Sequence, residues 1–246
     1  MGKESMKSFL HVTYNGLEDS LFGVHIARRP SIPSAREVMQ TYQIPGRDGQ
    51  LVIKDGTIED INISVDFSFT AYPDVWQATV NSLKNWLTMT SGASLEFSDI
   101  ADVFYRVRYV ELSDFKREYK KIGTFTATFT CEGCQYLDSG QEASLQPSSL
   151  SNPGIVSHPQ YQITASSSGT CTLTVNGKSL QATVASNMTI DTDRAIAYRT
   201  TDGVALNTSL IMGSYDFKDF WLKPGSNSIS ITSGYTLRVI PNWRRL

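Results

Sequence analysis

The chain has 246 residues and a formal net charge of −2, enough length for one large domain or two modest ones with separate cores. That charge balance supplies no overall field to recruit nucleic acid or an anionic membrane. No apolar run approaches the roughly 20 residues that span a bilayer.

The opening Met1-Gly2-Lys3-Glu4-Ser5-Met6 lacks the apolar core of a secretory signal. Residues 1–5 read as an expression remnant ahead of a native Met6, and the protein is expected to be made in the cytoplasm and not secreted. From Phe9 to Ile26 the pattern is strand-like, with a turn at Asn15-Gly16. Pro30 and Pro33 break it, and Val38 to Ile44 leads into a long hairpin. The hairpin opens with Ile44-Pro45-Gly46-Arg47-Asp48-Gly49, continues through Leu51, Val52 and Ile53, and is expected to turn at Asp55-Gly56. It then enters a run in which Ile61, Ile63, Val65, Phe67 and Phe69 alternate with Asn62, Ser64, Asp66 and Ser68, the mark of a strand with one buried face. Arg47, Asp48, Lys54 and Asp55, near the turns, are the candidate oligomer-interface residues; they set register between copies or are simply solvated turn residues.

One helix is expected after Tyr72-Pro73-Asp74, with Asp74 as N-cap, Trp76, Val80, Leu83 and Leu87 at helical spacing, and an end at Thr90-Ser91-Gly92. Strands follow at Leu95 to Phe97, Val103 to Leu112 and Thr124 to Cys131. Between the last two, Lys116-Arg117-Glu118-Tyr119-Lys120-Lys121 reads as a solvated hairpin tip, with a nucleic-acid contact as the alternative. Serine, proline and glycine then crowd the chain, and residues 138–151 are expected to be a linker between a domain at 6–137 and another at 152–246. Beyond it, short strands punctuated by turns such as Asn176-Gly177 read as a β-sandwich.

A search for chemistry yields no catalytic, metal or cofactor site. Glu96, Asp99 and Asp102 sit together on one strand exit and are more simply a turn than an acid–base pair set across a cleft. Cys131-Glu132-Gly133-Cys134 has the C-x-x-C spacing, but a structural zinc site wants a second pair or nearby histidines, and His11, His25 and His158 lie far off in sequence. The cysteines, Cys171 included, are read as structural thiols. Asp191-Thr192-Asp193 supplies only half of a calcium loop. An enzyme is not expected.

Taken together and in order, several local motifs resemble the distal tail protein (Dit) of long-tailed, non-contractile bacteriophages. They are Ile44-Pro45-Gly46-Arg47-Asp48-Gly49 with Asp55-Gly56, the helix ending in Trp86-Leu87, Leu95-Glu96-Phe97-Ser98-Asp99, and Phe125 to Cys131 running on to Tyr136. In the second half they are Asn152-Pro153-Gly154, Val175-Asn176-Gly177, Lys223-Pro224-Gly225-Ser226-Asn227 and Ile240-Pro241-Asn242-Trp243-Arg244. The resemblance covers nearly the whole chain from Lys7.

It implies a mainly β protein of two domains: an N-terminal β-sandwich with one α-helix and a long hairpin, and a C-terminal galectin-like β-sandwich. It further implies a virion component of the tail tip, a homo-oligomer closing as a hexameric ring. That ring would join the tail tube protein to the tail-associated lysin or fibre protein and leave a channel for DNA, without sequence-specific nucleic-acid binding, membrane contact or cofactor. The rival reading is a carbohydrate-binding module or adhesin, with Trp221, Tyr215 and Phe217 as its aromatic platform. Against it, Asn152-Pro153 runs into Gly154, and Trp221 into Leu222-Lys223-Pro224-Gly225, where sugar-binding galectins carry other residues.

Overall fold

The computed structural model describes residues 10–88 and 92–246, except for the side chain of Asp55. The proposed remnant at residues 1–5, Met6, the strand start at Phe9 and the helix end at Thr90-Ser91 lie outside the described residues. Two compact units emerge: residues 1–135 with Leu246, and residues 136–245.

The strands of the first unit are β1 (Val12–Tyr14), β2 (Leu17–Glu18), β3 (Val24–Ile26), β4 (Glu37–Gln43), β5 (Gln50–Ile58), β6 (Ile61–Thr70), β7 (Ala93–Phe97), β8 (Val103–Leu112), β9 (Lys116–Tyr119) and β10 (Ile122–Leu137), with helix α1 (Trp76–Leu87) between β6 and β7. The main sheet runs β2-β1-β7-β8-β10-β6-β3, with β9 paired to the start of β10. Its spine is the antiparallel pair β6–β10, in register from Ile122↔Thr70 to Cys131↔Ile61. Ile61, Ile63, Val65, Phe67 and Phe69 are buried there, as the alternation requires. Phe125, Ala127, Phe129 and Cys131 answer them from β10.

The helix presents Val80, Leu83, Trp86 and Leu87 to this core. Trp86 stacks on Phe22 at 4.5 Å and meets Tyr14 and Phe67 edge-on, so one ring ties the helix to three other segments. Asp74 is not its N-cap. Val75 holds that position with no side-chain bond, because a turn from Tyr72 closes first through the Val75 N–H. At Gly123, a Cβ would stand 2.4 Å from the Phe69 ring and 2.6 Å from that of Trp76.

The expected turn at Asp55-Gly56 is a correction. The strand that contains it, β5, pairs with β4 and not with β6, and the chain reverses around Gly46 and Gly49. Asp55 and Gly56 instead sit where the β4–β5 register shifts, between Glu37↔Ile58 and Met39↔Lys54. Gly56 has φ +81°, the conformation that both bulges and tight turns demand, which is why one dipeptide signals either. The Asn15-Gly16 turn takes φ of 51° and 74° and closes β1 on β2 as expected.

The second unit contains β11 (Ser144–Leu145), β12 (Ser149–Asn152), β13 (Gln160–Ala165), β14 (Gly169–Val175), β15 (Lys178–Val184), β16 (Asn187–Asp191), β17 (Ile196–Tyr198), β18 (Leu210–Ile211), β19 (Gly225–Ile231), β20 (Tyr235–Ile240) and β21 (Arg244–Arg245). Two five-stranded antiparallel sheets, ordered β11-β20-β13-β16-β17 and β12-β19-β14-β15-β18, enclose one core. Tyr161, Ile163, Met188, Ile190, Leu237 and Val239 fill it from the first sheet, and Leu173, Val175, Leu180 and Ile229 from the second. The buried Asn227 amide bonds the carbonyls of Lys223 and Gly225 and accepts from the Lys223 N–H, fixing the turn into β19.

Residues 138–151 are not a linker. They supply β11 and most of β12, which pair with β20 and β19. Both are edge strands only half-covered by the core, so polar residues suffice there and composition mimics a tether. Gly140 packs so closely on Trp243 that a Cβ would lie 2.2 Å from its backbone nitrogen. Likewise β10 does not stop at Cys131 but continues through Cys134 to Leu137.

Candidate assembly surface

Among the described residues, β4 and β5 pair with each other in a ribbon that belongs to none of the other three sheets. A two-stranded ribbon has two open edges and two faces to cover, and alone in water it is marginal. Met39, Tyr42, Ile44, Val52 and Ile53 all stand at least 38% exposed on it. The register Gln40↔Ile53 and Thr41↔Val52 puts Ile53 and Val52 on opposite faces, so apolar surface is displayed on both. Clustered exposure of this kind on one element makes the ribbon a candidate contact surface.

Of the four residues expected at an interface, Lys54 lies on the ribbon and its Nζ reaches Glu37 Oε2 at 2.5 Å across it. That pair is exposed and internal to the arm, worth about 0–1 kcal/mol. Arg47 and Asp48 occupy the tip beside Gly46 and Gly49, both exposed. The side chain of Asp55 is outside the described residues. Sequence reading sought this surface among charges and passed over the exposed apolar side chains, Met39 and Tyr42 on β4 and Val52 and Ile53 on β5.

A second surface gathers at the β9–β10 hairpin, where Tyr72, Pro73, Arg117, Tyr119, Lys120, Lys121 and Ile122 line an open groove of about 850 Å³. Arg117 lies over the Trp76 ring at 5.0 Å and Lys121 over Tyr72 at 5.1 Å. The basic run is thus a hairpin tip, as read, but one whose cations cover aromatic faces.

The three cysteines are buried and carry thiols. Burial, with Asp60 and Glu132 nearby, pushes the Cys131 thiol up to about 12, away from the thiolate that metal binding or redox exchange needs. In the second unit, Trp221 stacks on His158 at 4.1 Å and donates its Nε1–H to the Thr192 carbonyl. Phe217 packs against the core, which leaves Tyr215 as the exposed member of the supposed platform. Glu96, Asp99 and Asp102 do not converge on a cleft; Asp99 pairs with Arg29 at 2.6 Å. Among the described residues, no helix is long and apolar enough to cross a membrane.

Residues 15–131 match the family model of the phage tail protein RIFT-related domain. No curated protein matches the chain. Among solved structures, the chain is similar to the Dit protein of phage SPP1, described as a paradigm of the hub adsorption apparatus in phages infecting Gram-positive bacteria. The two share 15% identity at a TM-score of 0.59, over 97% of this chain and 99% of that one. The first unit is therefore similar to the phage tail protein RIFT-related domain, and the whole chain shares the mainly β fold of the SPP1 Dit protein.

Proposed function

We propose that this chain is a structural subunit of the phage tail tip, closing as a hexameric ring that joins the tail tube to the tail-associated lysin or fibre protein and leaves a channel for DNA. It acts by assembling, not as an enzyme. The observation that carries this reading is the β4–β5 arm, a two-stranded ribbon outside the other sheets with apolar residues on both faces. Laid on a neighbouring copy, such an arm gains main-chain hydrogen bonds along an edge and covers Met39, Tyr42, Val52 and Ile53 at once. A head-to-tail contact of this kind closes when the rotation per subunit divides the circle. The last copy then makes two contacts for one loss of translational freedom, so a weak arm suffices.

The adhesin reading asks for a free aromatic face, and His158 already covers that of Trp221. Replacing residues 40–53 by a two-residue Asn-Gly turn across the Met39↔Lys54 pair tests the assembly directly. Electron microscopy of the purified protein should show six-fold rings for the parent chain and monomers for the shortened one. Unchanged rings after shortening, or no ring from the parent at any concentration, would refute the proposal.

A further inference from the structure

We propose that His11, Glu18 and Asp19 form a binding site for a divalent first-row transition-metal ion, with Zn²⁺ as the probe. Sequence reading paired no histidine with a metal ligand, because the grouping depends on a hairpin. The Asn15-Gly16 turn sets Thr13 opposite Glu18, returning the chain beside His11. A short 3-10 turn over Asp19–Phe22 then points Asp19 inward, and Gly23 closes it at φ +65°. His11 is held at both backbone ends: its N–H donates to Ser98 Oγ at 2.9 Å, and its carbonyl accepts from the Ser98 N–H at 3.0 Å.

The side chains converge. His11 Nδ1 lies 2.9 Å from Asp19 Oδ1 and 3.6 Å from Glu18 Oε1, and one ligand atom from each of the three falls within 4.8 Å of the others. Bonds of roughly 2.0–2.1 Å at tetrahedral to octahedral angles place ligand atoms about 2.9–3.4 Å apart, so little movement would seat an ion. Asp19 is fully buried, and its Oδ2 has no hydrogen-bond partner among the described residues. An unpaired oxygen on a buried carboxylate is expensive, and Glu18 and Asp19 together bring two negative charges to the cluster. A dication offsets both.

The donor set narrows the ion. One imidazole nitrogen with two carboxylates suits Zn²⁺, Mn²⁺, Fe²⁺ or Ni²⁺, whereas Ca²⁺ and Mg²⁺ prefer all-oxygen shells. Ser20 Oγ donates to Glu18 Oε1 at 2.5 Å, orienting that carboxylate as supporting groups do around metals. Three protein ligands leave a coordination position open to water or to a group from another molecule. Bound metal would tie β1–β2 to the turn that follows, at one end of the main sheet.

Isothermal titration of the full chain with Zn²⁺, alongside melting curves, is the test. The parent should bind one ion and melt higher with it. His11→Ala and Asp19→Asn should each weaken binding at least about tenfold, the least that losing even a supporting group costs. Glu18→Gln, at a partly exposed side chain, should keep the metal-free melting temperature while losing affinity, and decides the matter if the others fail to fold. Cys134→Ser should bind as the parent does. Absence of a one-to-one site, or affinity unchanged in Glu18→Gln, would overturn the proposal and leave an ion-pair cluster only. Equal competition by Ca²⁺ would overturn the ion class.

Discussion

Replacing Val52 and Ile53 together by serine removes apolar surface from both faces of the arm while leaving its strand pairing in place. Each side chain is 48% exposed, so about half of its burial remains to be gained on assembly. Full burial of Val or Ile contributes about 1.5–3 kcal/mol, which leaves about 1 kcal/mol per side chain and ~2 kcal/mol per contact. At 1.4 kcal/mol per decade, each contact weakens by about 30-fold. In a closed ring of six, the monomer concentration at half-assembly scales as the contact constant to the power of about six-fifths, so the midpoint should rise by about 50-fold. Neither residue belongs to the core clusters, and the melting temperature of the monomer should stay put. Sedimentation velocity over a dilution series reads both oligomer and monomer. An unchanged midpoint would remove the arm's apolar faces from the assembly, and the single variants would then show whether the backbone edge acts alone.

Gly123→Ala should destabilise the first unit by about 1–3 kcal/mol in urea melts, because Phe69 and Trp76 must both shift to admit the methyl group; a neutral result would show that the rings have room to move. Raising the pH from about 8 to about 10 should cost on the order of 1 kcal/mol through Cys131 alone. The unfolded thiol ionises above 9.0 while the folded one holds its proton to about 12, so stability is intact below 9.0 and falls between those values. Cys131→Ala should remove that share of the slope, and an identical slope in the variant would mean that the thiol is not the origin.

Much of this architecture was legible in the sequence. The alternation of Ile61 to Phe69 gave β6 its buried face, and the stripe of Val80, Leu83 and Leu87 gave the helix its packing side. Burial at a fixed period leaves a local trace, and so does a two-residue turn such as Asn176-Gly177, where φ of 50° and 79° favours those residues. Other features leave none. Asp55-Gly56 satisfies the chemistry of a bulge and of a turn alike, and only the partner strand decides between them. Polar edge strands at Ser144–Leu145 and Ser149–Asn152 have the composition of a tether. The candidate assembly residues were sought among turn charges, whereas the exposed apolar side chains of the arm become visible only once β5 is known to pair with β4. The grouping of His11 with Asp19 depends on the path of a hairpin, and spacing along the chain does not reveal it.

Strand order in the second unit also bears on how the protein is made. In each of its sheets a late strand occupies an interior position: β20 lies between β11 and β13, and β19 between β12 and β14. While the chain is still emerging from the ribosome, β11 and β12 have nothing to pair with, since Val239 and Ser228 have yet to be synthesised. The first unit has its main partners once β10 is out, and domains generally fold in such order during synthesis. The second unit must wait, its long-range pairings postponed to the final residues. A prematurely terminated chain should therefore carry a folded first unit, arm included, beside an open sandwich with exposed strand edges. Such a chain would be a ready substrate for proteases before it reached a tail.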